Sequence, residues 1–173
     1  MWVQKYRPET LDDYRGASNQ KKELTKWLNN WETGDKPVLL HGQAGTGKTS
    51  LVEALAHDHG MELVETNASD VRTKSALKEE LKEATRQASF FGGDKLILID
   101  EVDGMSGRDR GGVAELKEIV SKSRFPVIMT ANDAYTQKIR PLRNISKTVK
   151  LDSVHTNSIN AHLKWILDEE RID

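Results

Sequence analysis

One short run constrains this chain more than any other feature. Gly42-Gln43-Ala44-Gly45-Thr46-Gly47-Lys48-Thr49 fits the pattern G-x-x-x-x-G-K-[ST]. The pattern carries meaning only between a strand and a helix, and both flanks fit. Residues 37–41 (PVLLH) read as a buried strand. Residues 48–59 read as a helix with Leu51, Val52, Leu55 and Ala56 inward and Gly60 as the C-terminal stop. In that setting the glycines let backbone N–H groups turn inward around phosphate oxygens, and the helix start adds partial positive charge. Lys48 can reach β- and γ-phosphates, and the Thr49 hydroxyl can ligate Mg²⁺. The expected nucleotide-binding set is therefore Gly42, Gln43, Ala44, Gly45, Thr46, Gly47, Lys48, Thr49 and the adjoining Ser50. The competing reading is a chance glycine-rich turn, which leaves the two flanks unexplained.

The rest of the chain alternates in the same way. Apolar runs at 61–66, 95–99 (KLILI), 126–130 (PVIMT) and 147–151 predict further strands. Helical spacing predicts a helix at 18–33, opening on Ser18 as N-cap, with Leu24, Trp27, Leu28 and Trp31 on one face and Gly34 at its end. It predicts others at 73–88, at 113–122, and from Thr156 onward with Ile159, Leu163 and Ile166. Such alternation predicts an α/β fold, a parallel sheet covered on both faces. The 173 residues suit one domain with the start of a second. Absence of Cys excludes disulfides and thiolate metal sites. No apolar run reaches the ~20 residues of a membrane span, and residues 1–8 carry no signal-peptide core. With 26 Lys+Arg against 27 Asp+Glu the net charge is -1, so any nucleic-acid contact must come from a local patch.

Two strand ends carry candidate chemistry. Ile97-Leu98-Ile99 runs into Asp100 and Glu101. After a phosphate loop, an acid at this position helps hold Mg²⁺, and an adjacent Glu can polarise the attacking water as general base. The run at 126–130 is followed by Asn132, whose neutral amide can orient that water or touch the γ-phosphate; an ordinary turn residue is the alternative. Asn67 ends the 61–66 run and reads either as a switch that hydrogen-bonds Glu101 or as part of a turn in Asn67-Ala68-Ser69-Asp70.

Several segments together resemble clamp-loader subunits of the replication factor C family. They are Trp2-Val3-Gln4-Lys5-Tyr6-Arg7-Pro8 with Leu11-Asp12-Asp13, then Thr66-Asn67-Ala68-Ser69-Asp70. Asp100-Glu101-Val102-Asp103-Gly104-Met105, followed by Asp109-Arg110-Gly111-Gly112, is similar to the large subunit in particular. Small subunits carry a Ser-Arg-Cys motif where this chain reads Arg140-Pro141-Leu142-Arg143-Asn144. That departure fits a large subunit, which receives an arginine finger and need not donate one. It leaves Arg140 and Arg143 without an assigned role. The start at Met1-Trp2 resembles archaeal rather than eukaryotic large subunits.

The resemblance implies an AAA+ αβα sandwich with a five-stranded parallel sheet over residues 1–153, and the start of a helical lid over 154–173. It implies an ATPase using ATP and Mg²⁺, with Glu101 and Asn132 catalytic, Thr49 and Asp100 at the metal, and Tyr6 and Arg7 beside the adenine; an N-terminal arm packing on the sheet is the other reading of Tyr6 and Arg7. It also implies partners: clamp-loader small subunits, a PCNA-type sliding clamp and primer-template DNA, in the cytoplasmic, nucleoid-associated replication machinery of an archaeon. Arg108, Arg110 and Lys117 fall where the family tracks the DNA backbone; a solvated loop and helix face is the other reading. Phe90 and Phe91 fall where the large subunit enters the clamp's apolar pocket; core packing is the other reading. Low ATPase activity is expected of this chain alone, since the lid arginine and the arginine finger would come from outside it. Two further functions compete with the clamp loader. They are another AAA+ DNA-processing motor of the branch-migration type and a nucleotide-binding scaffold that does not hydrolyse; an intact Glu101 argues against the scaffold.

Overall fold

A computed structural model describes residues 2–68, 79, 94–105, 110–154 and 156–172, with backbone alone for Val3, Arg110 and Gly111. The expected helix at 73–88 falls outside the described residues except at Glu79. The described helices are α1 (Trp2–Lys5), α2 (Ser18–Asn29), α3 (Lys48–Asp58), α4 (Arg110–Ser121), α5 (Arg140–Ile145) and α6 (Thr156–Glu169). The strands are β1 (Val38–His41), β2 (Glu62–Asn67), β3 (Lys95–Asp100), β4 (Val127–Ala131) and β5 (Lys147–Lys150). All five predicted strands are present. They pair in parallel, in the order β2-β3-β4-β1-β5.

The side-chain alternation of a strand explains why the three central strands β1, β3 and β4 are mostly apolar, whereas the edge strands β2 and β5 are only partly buried. Val38 and Leu40 of β1, Leu96 and Leu98 of β3, and Ile128 of β4 join a core with Leu24 and Leu28 of α2 and Leu51, Val52 and Leu55 of α3. Leu39, Ile97, Ile99, Val127 and Met129 point the other way, into a core with Val113, Leu116 and Val120 of α4 and Leu142 of α5. Both faces of β1, β3 and β4 are covered, so a polar side chain buried on these strands needs a partner. Each fully buried Leu or Ile contributes roughly 1.5–3 kcal/mol through the surface it removes from water. Because β4 sits between β3 and β1, the loops leaving the carboxyl ends of β1, β3 and β4 are brought side by side. In open parallel sheets such a crevice is where ligands bind.

Helix boundaries differ from expectation in three places, each with a local cause. Ser18 is the first helical residue rather than the cap. The cap position belongs to Ala17 at φ 53, following Gly16 at φ 82, and no side chain caps the helix start. That left-handed pair turns the chain sharply after Tyr14, which docks beneath the phosphate loop. The same helix ends at Asn29, not 33, because the Asn30 side-chain amide donates to the Lys26 carbonyl at 2.6 Å and competes with the helical ladder. Trp31 therefore leaves the helical face. Helix α4 begins at Arg110, so Gly111 and Gly112 lie in its first turn rather than before it. The end of α3 follows the reading from sequence. Gly60 takes φ 60, its N–H bonds the His57 carbonyl at 3.0 Å, and the Met61 N–H bonds the Ala56 carbonyl at 3.0 Å.

Helix α6 packs on the N-terminal arm. Lys5 Nζ and Tyr6 Oη each donate to Glu170 at 2.7 Å, and the Tyr6 and Trp165 rings meet edge to face at 5.5 Å. Of the apolar line expected along this helix only Ile166 is buried; Ile159 and Leu163 are exposed. Among the described residues no helix is long and apolar enough to cross a membrane.

Candidate active site

The loop from Gly42 to Thr49 leaves the end of β1 and enters α3 at Lys48. Its shape depends on glycine at defined points. Gly45 and Gly47 adopt φ 78 and φ 84, a region side chains disfavour. At Gly42 the constraint is space, since a Cβ there would lie 2.2 Å from the Leu151 carbonyl oxygen. The loop closes on itself through Thr46, whose N–H and hydroxyl both donate to the Gln43 carbonyl, at 3.3 and 2.9 Å. Gly42, Thr46 and Lys48 are buried, whereas Gln43, Ala44 and Gly45 form an exposed rim.

Lys48 is the meeting point of two strands. Its Nζ donates to the carbonyls of Gly42 (2.8 Å) and Gln43 (3.1 Å) and to Asn132 Oδ1 (2.9 Å). An ammonium has three donors, and here each has a partner. Burial pushes the Lys48 amine below the usual lysine range, opposed by the carboxylates of Asp100, Asp103 and Glu101. Asn132, the amide expected after β4, is thus brought directly to the Lys48 ammonium.

The acidic pair sits alongside. Thr49 Oγ1 donates to Asp100 Oδ2 at 2.9 Å, so the two expected metal ligands already face each other. Two hard oxygens of this kind suit Mg²⁺, which takes few protein ligands and keeps several waters. The Thr130 hydroxyl donates to the other Asp100 oxygen and accepts the Glu101 N–H at 3.0 Å. Glu101 itself is exposed and held at φ 55, ψ 47. A non-glycine residue there costs about 1–3 kcal/mol and persists where surrounding bonds enforce it. Asn67, last residue of β2, stands beside Asp100 in the parallel register and so within one residue of Glu101.

The N-terminal arm contributes a second region. Tyr6, Arg7, Pro8, Ser50, His162 and Ile166 line a cavity of 780 Å³ between the arm and α6. The polar ends of Tyr6 and Arg7 are already engaged, Tyr6 with Glu170 and Arg7 with Glu53 of α3. The expected DNA residues are only partly placed. Lys117 is exposed on α4, Arg110 opens that helix, and Arg108 lies outside the described residues. Phe90 and Phe91 also lie outside them. Arg143 donates to the Ala134 carbonyl at 3.1 Å and lies 5.0 Å over the Tyr135 ring, so it supports the loop after Asn132 from within. Arg140 is exposed at the start of α5.

Three residues around the site were not singled out from sequence. Tyr14, only 6% exposed, donates its hydroxyl to the Thr46 carbonyl at 2.9 Å and abuts Gly47. Burial pushes its phenol pKa up to about 12. Thr130 is fully buried and braces Asp100; a hydroxyl inside an otherwise apolar strand was the available signal. Asp103 accepts the N–H groups of Asn132 and Asp133 at 2.9 and 3.1 Å. Nothing local to the sequence marks Tyr14 or Asp103 for these partners.

Comparison with known proteins agrees with this geometry. The model of the ATPase family associated with various cellular activities (AAA) matches residues 38–152. Over 168 residues the chain is 46% identical to the replication factor C large subunit of Methanococcus aeolicus, covering 95% of this chain and 35% of that protein. Over 172 residues it is 42% identical to a replication factor C large subunit of Methanococcus maripaludis, covering 98% of this chain and 36% of that protein. The counterpart from Methanococcus vannielii is 43% identical over 172 residues, with 98% and 35% covered. The chain thus spans about a third of the length of the curated relatives it matches. The loop on β1, the acids ending β3 and the amide following β4 all fall within the matched segment, and the chain belongs to the AAA family of ATPases.

Proposed function

We propose that this chain binds ATP with Mg²⁺ and hydrolyses it as the motor domain of a replication factor C-type large subunit. With small subunits such a protein opens a PCNA-type sliding clamp and loads it onto primer-template DNA. The reading rests on the relatives' names and, above all, on one observation. Lys48 Nζ joins the phosphate loop to Asn132, while Thr49 and Asp100 meet beside it. A triphosphate entering the loop would replace the Lys48 contacts with charge-assisted ones to phosphate oxygens. Thr49 and Asp100 would hold Mg²⁺, whose charge offsets that of the β- and γ-phosphate oxygens. Glu101 then takes the proton of the attacking water, and Asn132 orients that water or the γ-phosphate. Asn67, whose strand register puts it beside Asp100, would restrain Glu101 until DNA is present. Tyr6 and Arg7 shape the cavity beside Ser50 that would take the adenine.

The same reading divides the chain into an ATPase domain over 1–153 and the first lid helix over 154–173. It assigns Arg108, Arg110 and Lys117 to the DNA backbone and Phe90 and Phe91 to the clamp, in an archaeal, nucleoid-associated machine of the cytoplasm. The test is phosphate release by the full-length protein mixed with small subunits, clamp and primed DNA. Fast turnover should require all components, and Lys48→Ala should lower it. The chain alone should retain nucleotide yet hydrolyse it slowly, because an arginine supplied in trans is worth ~10³–10⁵-fold. Fast turnover by the chain alone, or turnover indifferent to clamp and DNA, would refute the clamp-loader reading.

A further inference from the structure

The ends of β3 and β4 hold each other reciprocally. From β4, Thr130 donates to Asp100 and accepts the Glu101 N–H. From the turn after β3, Asp103 Oδ2 accepts the N–H groups of Asn132 and Asp133. Each strand end therefore reaches across to fix the residues that follow the other. The turn bearing Asp103 (Val102–Gly104) is itself rigidly seated, with Val102 and Met105 in the core and the Gly104 N–H on the Glu101 carbonyl at 2.8 Å. Lys138 Nζ donates to the Asp103 carbonyl at 3.0 Å and pins the turn from the far side. Beyond Asn132 the loop is anchored by fully buried Ala134 and by Arg143 on the Ala134 carbonyl.

We infer that Asp103 is a positioning residue for ATP hydrolysis: its carboxylate locks the Asn132 amide at Lys48 and ties it to the turn that carries Glu101. This deepens the ATPase reading above and rests on it. The proposed chemistry needs two groups placed together, a base at the attacking water and a neutral amide at that water or at the γ-phosphate. They come from different strands, and backbone pairing of β3 with β4 ends at Ile99 and Met129. Past that point side chains must maintain the register. A carboxylate oxygen accepting two successive backbone N–H groups fixes both the position and the tilt of the peptide that carries Asn132. The second oxygen, Oδ1, is buried with no hydrogen-bond partner among the described residues. The carboxylate is thus committed to the Asn132 loop through Oδ2 alone. An amide at this position could keep Oδ2's role but would place an unsatisfied donor where Oδ1 lies.

The experiment uses the full-length protein in the assembly that hydrolyses ATP, and compares Asp103→Ala, Asp103→Asn and the parent. Three readouts are taken: kcat, affinity for a fluorescent ADP, and amide hydrogen exchange at Asn132 and Asp133. A misplacement of about 1 Å can cost about 10²-fold in rate. For Asp103→Ala we expect kcat lowered by roughly 10–100-fold, ADP affinity within about threefold, and faster exchange at both amides. Asp103→Asn should recover most of the rate. Combined with Asn132→Ala, the Asp103→Ala change should add little further loss, because both act through one amide. If Asp103→Ala does not fold, Asp103→Ser, which leaves a small acceptor in the turn, must show the same split between rate and affinity. Parent-like kcat in the Ala variant would overturn the inference, as would an Asn variant as slow as Ala, or equal losses of affinity and rate. A parent that does not hydrolyse ATP would refute the ATPase reading and this inference together; an active parent with an unaffected variant refutes the inference alone.

Discussion

Removing a single oxygen atom at Tyr14 tests whether the phosphate loop is held from below. The Tyr14 hydroxyl donates to the Thr46 carbonyl at 2.9 Å, and both residues are buried, at 6% and 7% exposure. Tyr14→Phe keeps the ring, which abuts Gly47 and belongs to the core beneath α2 and α3. It leaves the Thr46 carbonyl buried and without its donor, a loss of about 1–3 kcal/mol for an unsatisfied group. The lost hydroxyl was itself buried and desolvated, so the lower half of that range is expected, about 1–2 kcal/mol. For a chain of this size each kcal/mol moves Tm by roughly 2–4 °C. The variant should therefore unfold about 2–8 °C below the parent, with an unchanged urea m-value. Nucleotide affinity should weaken as well, because Thr46 and Gly47 lose their fixed orientation; a tenfold weakening corresponds to about 1.4 kcal/mol. Paired urea titrations and a fluorescent-nucleotide titration measure both effects. A Phe variant with parental Tm and parental affinity would show that Tyr14 fills space without shaping the loop.

Other perturbations read neighbouring parts of the site. Lys48→Ala removes the charge facing the phosphates, and calorimetry should find nucleotide affinity lowered at least ~10-fold; unchanged affinity would refute the assignment. Glu101→Gln should keep nucleotide binding while slowing hydrolysis ~10²–10⁴-fold, and normal turnover would mean another residue activates the water. Gly42→Ala would drive a Cβ to 2.2 Å from the Leu151 carbonyl oxygen; denaturant titration should show a loss of about 1–3 kcal/mol, and a neutral result would contradict the packing described. Burial, then Lys150, holds the His41 imidazole below its ordinary 6.5. The unfolded chain therefore takes up this proton more readily, and the stabilisation present above about pH 6.5 is lost as pH falls through the lower folded value. Replacing His41 by Phe should flatten this acid limb of Tm against pH, whereas an identical slope would remove His41 as the cause.

Much of the fold was legible because its signals are local. The apolar strands at 38–41, 95–100 and 127–131 are short runs buried on both faces, a property each run carries by itself. Helix ends were less legible. Ala17 at the start of α2 and Asn30 at its end answer to a neighbouring turn and a side-chain bond, neither of which hydrophobic periodicity records. The spacing from Gly42 to Thr49 encodes backbone conformations that the loop then adopts, with Gly45 and Gly47 left-handed and α3 opening at Lys48.

By itself, then, the sequence determined that this chain has a phosphate loop between a strand and a helix, an acidic pair ending a buried strand, and an alternating α/β order. These depend on residues within a few positions of one another, where chain geometry alone fixes who can meet. The strand order β2-β3-β4-β1-β5 was decided only in three dimensions, and with it which ends lie side by side. That arrangement brings Asn132 to Lys48, Thr130 to Asp100 and Asp103 to the Asn132 loop, while the docking of the N-terminal segment brings Tyr14 to Thr46. Each of these contacts joins groups far apart along the chain. Hydrogen bonds act over about 3 Å, so no spacing in the sequence can record a partner that only the folded sheet brings within reach.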